Sequence, residues 1–240
     1  MATLATTPVA RKRADDIFFT TAAVLMMLMV VVGFAPSYFL RGAVFAKLPS
    51  VLVHLHGAVF SAWIFLFVIQ SSLVSGGNVR LHRKLGVLGA VIAGLMVVLG
   101  IAAPFGTLHR GAELPSFFTP ASFLIGNILG ILLFGGFVAV AVWQRNNRRV
   151  HKRLMMIANI ILLPPALSRM GFVQHHFYLI PVISLGLLVA MLVLDVFTWR
   201  RPLLVTVISA VVYVAFQPFS DAMVKLPVSQ RITYWAQHHP

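Results

Sequence analysis

Apolar residues along this chain gather in long runs, separated by short polar breaks in which the basic residues cluster. A hydrocarbon core about 30 Å thick needs roughly 17–25 mainly apolar residues per helix, because backbone polar groups find no water there. Seven runs meet that requirement: 17–40, 51–73, 85–103, 121–142, 154–170, 177–196 and 203–219. The fifth and seventh are the weakest, at about seventeen residues each, and carry Pro164 and Pro165 in one and Pro218 in the other. A kink or an early end is expected at these prolines. Residues 1–16 form a polar tail with no small-residue cleavage site after a short apolar core, so the first run reads as a retained anchor. With short loops throughout and residues 220–240 as the longest polar stretch, the expectation is an all-α polytopic protein with one seven-helix domain over 17–219.

Composition supports this picture. Sixty per cent of the residues are apolar, 10% are charged and the mean hydropathy is +0.94, a balance foreign to ordinary soluble domains. Nineteen Lys and Arg against five Asp and Glu give a net charge of +14. The cations sit in short clusters rather than on one continuous polar face, which argues against nucleic acid as the partner. The absence of cysteine excludes disulfides, iron–sulfur clusters, thiol nucleophiles and covalently attached c-type haem.

The cations also orient the chain. With the N-terminus inside, thirteen of the nineteen fall on inner segments, in clusters around Arg11, Arg80, Arg83, Arg145, Lys152 and Arg200. The outer side keeps Arg41, Lys47, Arg110, Arg169, Lys225 and Arg231. The positive-inside rule then places the N-terminus in the cytoplasm and the C-terminus outside.

With cysteine absent and acids scarce, histidine carries most of the candidate chemistry. His82 and His151 are inner, while His54, His56, His109, His175, His176, His238 and His239 are outer. Span 2 spaces His56, Trp63 and Gln70 by seven, a polar stripe on one helical face. His54 lies about 200° around the helix from His56, so the two cannot ligate one ion on a regular helix. His56 reads either as an interhelical hydrogen bond or as a ligand. His54, His56, His109, His175 and His176 are candidate outer metal ligands, with Arg169 available to a carboxylate or propionate. The last two histidines read as tail residues. On the inner side LHRKLG opens span 3 and HKRLMM opens span 5, each a His followed by two cations and Leu, 69 positions apart. This reads as an internal duplication of spans 2–3 and 4–5. Two equivalent histidines, His82 and His151, then suit haem iron approached from opposite faces, with Arg83 and its neighbours near the propionates. The alternative is that both segments are plain positive-inside anchors. Asp195, the acid within a span, is expected to pair with an inner-rim cation, and Asn127, Asn159 and Gln217 to form interhelical hydrogen bonds. Gly126, Gly130, Gly135 and Gly136 make span 4 a candidate homo-oligomer contact.

GFAPSYFL, HLHGAVFSAW with Gln70, LHRKLG and HKRLM together resemble the recurrent pattern of a family of uncharacterised bacterial multispan proteins, over residues 34–170. HKRLM is also similar to an element of small membrane proteins that assemble haem–copper oxidases. LHRKLG resembles the haem-ligating segment of transmembrane dihaem cytochromes b. That resemblance implies haem b on His82, with His151 and His56 as looser positional matches; span 4 has no histidine, so an outer pair needs His175 or His176.

Three functions follow as expectations. The first is a haem b or metal-binding redox protein, exchanging electrons with quinone or a respiratory complex. The second is a non-catalytic accessory or assembly subunit of such a complex, which needs no cofactor. The third is a seven-span zinc hydrolase with a three-histidine site near the outer surface, and the scarcity of outer acids weighs against it; the cofactor expected is haem b, with zinc or copper, or none, as the alternatives.

Overall fold

The computed structural model describes residues 8–40, 50–114 and 117–238, of which 8–12 are described as backbone only. Residues 1–7 of the N-terminal tail, the outer cations Arg41 and Lys47, and His239 lie outside the described residues. Everything regular in them is helical: α1 (Pro8–Phe34), α2 (Val51–Ser75), α3 (Val79–His109), α4 (Pro120–Trp143), α5 (Arg148–Ile161), α6 (Pro164–Leu167), α7 (Gly171–Gln174), α8 (Leu179–Trp199), α9 (Leu204–Val224) and α10 (Pro227–His238). A π-helical turn, Ala35–Phe39, ends α1. Seven helical stretches are long and apolar enough to cross a membrane, the fifth running Arg148–Leu167 through α5 and α6.

Local sequence sets the starts. Ser50 accepts a hydrogen bond from the Val53 amide, Asn78 from Leu81 and Asn147 from Val150, while Thr119 and Ser122 form a reciprocal box ahead of Pro120. Each satisfies amide donors that a helix start leaves unpaired. Gly77 takes a positive φ of 79° in the turn between α2 and α3, a conformation open to glycine at little cost.

Consecutive helices α2, α3, α4 and α5 pack as antiparallel neighbours, with α1 against α2 and α9 against α4 and α5. The fifth span is the centre of the bundle: 61% of its apolar window is buried, against at most 28% in any other span. Its mean hydropathy of 1.2 is the lowest of the seven, because it faces protein rather than lipid and accommodates polar groups. Met156, Ile157 and Ile160 of α5 meet Phe134, Trp63, Met96, Met26, Leu188 and Met191 in one continuous core. Gly33 lets α1 press onto the Ala166 carbonyl, which an added Cβ would strike.

Two features differ from the sequence reading. The seventh span passes Pro218 and continues to Val224; the proline interrupts one intrahelical bond without ending the helix. Residues 227–238 form the docked helix α10, whose Ala236 packs with Leu108 and Leu124. Gly135 of α4 serves packing within the chain, since a Cβ there would sit 2.8 Å from Val97.

Candidate functional site

One end of the bundle gathers the start of α1, the turn between α2 and α3, the turn between α4 and α5, and the turn between α8 and α9. This is the cation-rich rim. The three residues His151, Lys152 and Arg153 stand in the first turns of α5, and successive helical positions diverge by about 100°. Each therefore meets a different neighbour. His151 donates from Nδ1 to the Ala141 carbonyl of α4 at 2.8 Å. Lys152 pairs with Asp15 of α1 and lies 4.9 Å from the Phe19 ring centre. Arg153, fully buried, points across the core to Asp195 of α8, donating from Nε to Oδ1 at 2.8 Å and also from Nη2. Asp195 accepts further bonds from the Thr206 hydroxyl at 2.5 Å and the Leu203 amide at 3.3 Å. Three helices are thus tied together by one buried carboxylate, whose charge is matched by a guanidinium and whose other oxygen is hydrogen-bonded.

His82 and His151 meet here. Their ring centres are 6.3 Å apart and the ring planes are inclined at 78°. The bond from His151 Nδ1 to a carbonyl, which only accepts, places the proton on Nδ1 and leaves the Nε2 lone pair free. This is the arrangement that orients metal-ligating histidines. His82 Nδ1 is buried without a hydrogen-bond partner, and so is the Oε1 of Gln70, a residue of α2 that lies beside Gly86. Unpaired buried polar atoms are uncommon. Arg83 is exposed at the rim next to His82.

The duplication extends further than four residues. Asn78 and Asn147 are both N-caps, both accept from the amide three residues on, and both precede their histidine by four residues. The repeated unit over 78–85 and 147–154 is Asn, any residue, Arg, Leu or Val, His, two cations, Leu. The sequence reading missed the caps and the Arg, although an Asn four residues ahead of each His was the signal that identified them.

The opposite rim holds the other candidates. His56 donates from Nδ1 to the Leu99 carbonyl at 3.3 Å and stacks on Phe60, with ring centres 4.0 Å apart. His54 turns away to the Tyr38 ring, 5.8 Å distant. The polar stripe of α2 divides similarly, because Trp63 Nε1 donates to Asn159 Oδ1 of α5 at 3.0 Å. Asn127 bonds within its own helix, to Phe123. His109, His175 and His176 are exposed, and His238 bonds to Tyr234 within α10. Among the described residues no three His, Asp or Glu side chains gather as a metal-binding group. Arg169 stacks on Phe34 near this rim.

No family model matches the chain, and neither a curated protein nor a solved structure does.

Proposed function

We propose that this protein is a membrane-embedded redox protein that holds haem b between His82 and His151. The observation that carries this reading is the meeting of two equivalently placed imidazoles 6.3 Å apart at one rim. Ring centres this close would allow both imidazoles to hold one metal centre. The donor set fits: His151 is oriented by a carbonyl, and His82 Nδ1 and Gln70 Oε1 are buried and unpaired. Arg80, Arg83 and Lys84 are exposed at the same rim, where they would meet propionates. Bound there, haem iron supplies one-electron chemistry, with quinone or a respiratory-complex subunit as the electron partner. The cation-rich rim is the cytoplasmic face and the membrane a bacterial inner membrane.

The test is the absorption spectrum of detergent-purified protein. A Soret band and, after reduction, a b-type α band are expected, and His82→Ala and His151→Ala should each abolish them while His56→Ala leaves them. Colourless protein with no stoichiometric metal would overturn the reading and favour the accessory or assembly role.

A further inference from the structure

We infer that the rim opposite the histidine pair contains a second site, centred on Arg169, that binds the oxyanion of an acidic amphiphile. This inference is independent of the redox reading. Arg169 follows α6. Its Nη1 donates to the Pro165 carbonyl at 2.5 Å, and its guanidinium carbon lies 4.7 Å from the centre of the Phe34 ring. Partial burial lowers its pKa from the ordinary value by desolvation, and among the described residues no ion pair involves it. The chain has five acids to offer. Asp15 and Asp195 are engaged with Lys152 and Arg153 at the other rim, and Asp16 accepts there through its carbonyl from Ser75. Asp221 accepts from Gln217, and Glu113 is exposed. The ion pairs of Asp15 with Lys152 and Arg153, and of Asp195 with Arg153, all lie at the other rim. Residues 41–49, which join α1 to α2, contain no Asp or Glu. A half-buried guanidinium that none of these acids meets is placed to take its counter-charge from outside the chain.

The surroundings are built to hold that guanidinium. Gly33 admits the Pro164–Leu167 segment against α1, bringing Arg169 under Phe34. The π-turn Ala35–Phe39 lays the Tyr38 ring over Gly57, where a Cβ would come within 2.5 Å of it, and Tyr38 donates its hydroxyl to the His54 carbonyl at 3.0 Å. A guanidinium with one N–H committed and one face stacked still presents donors in its plane, which match a carboxylate or phosphate. The aromatic wall and the position at the end of a membrane bundle select an anion attached to an apolar body.

Thermal unfolding in a neutral detergent tests this with four probes: oleate, phosphatidylglycerol, acetate and inorganic phosphate. One of the two amphiphiles should raise the Tm saturably, identifying a carboxylate or a phosphate headgroup as the source, whereas the two small anions should not. Arg169→Gln should weaken that binding by about tenfold or more, and Arg169→Lys, which keeps the charge but not the planar fork, should weaken it less. His151→Ala should leave the shift intact. A full shift in Arg169→Gln, no shift with either amphiphile, or an equal shift with acetate or phosphate would overturn the proposal; if the Gln variant fails to fold, undiminished binding by Arg169→Lys and Phe34→Leu together would do so.

Discussion

At the residue scale, HKR is a short cationic string whose members do unlike things. Read as sequence, His151, Lys152 and Arg153 are equal members of a positive-inside cluster. In the fold, Lys152 keeps partial exposure beside Asp15 while Arg153 is wholly buried against Asp195. The distinction was illegible because it depends on where α8 places Asp195, 42 residues away. It has a measurable consequence. Asp195→Leu leaves the buried Arg153 guanidinium with only the Asp15 carboxylate, 3.8 Å away, and should destabilise the protein by about 3 kcal/mol. Replacing both, Arg153→Leu with Asp195→Leu, removes the orphaned charge and should recover most of that loss. Reversible unfolding in mixed detergent micelles measures both; equal destabilisation of the single and double variants would contradict the ion-pair account.

At the element scale, hydropathy revealed all seven spans, and the fifth, weak by length and prolines, is the most buried of them. The fifth is the least apolar because Arg153 and Asn159 face its protein neighbours. A helix surrounded by protein does not need a lipid-facing surface, so low hydropathy here marks the centre of the bundle. The continuation of the seventh span past Pro218 and the docking of α10 were also illegible: the first depends on neighbours that tolerate a missing N–H, and the second on a pairing of Ala236 with Leu108 and Leu124 far away in sequence. The duplicated starts of α3 and α5 were legible only in part. Their Asn caps place His82 and His151 at the same depth of two helices that run in the same direction, which is why the rings meet. Asn78→Ala and Asn147→Ala should each cost about 1 kcal/mol of stability. If the caps position the histidines, each variant should also broaden or weaken the Soret band beyond what a stability loss of that size explains; Thr119→Ala, which removes the cap of α4, provides the comparison because it lies at the opposite rim.

At the scale of the whole molecule, the charge asymmetry and the histidine pair make one argument, because the pair lies on the rim that carries most of the cations. That rim must face the cytoplasm if the positive-inside rule governs insertion, since translocating it would move thirteen Lys and Arg rather than six. The orientation is open to a background-free measurement, for the chain has no cysteine of its own. Asn146→Cys lies in the exposed turn between α4 and α5, and Gln237→Cys lies on the exposed side of α10. In intact cells a membrane-impermeant maleimide should label Gln237→Cys and spare Asn146→Cys until the membrane is permeabilised. The reverse pattern would place the His82–His151 pair on the outer face, where a cytoplasmic electron donor could not reach it directly, and would require the redox reading to take its electrons from the outer side or from quinone within the bilayer. Labelling of both positions before permeabilisation would be incompatible with an odd number of spans between the two rims.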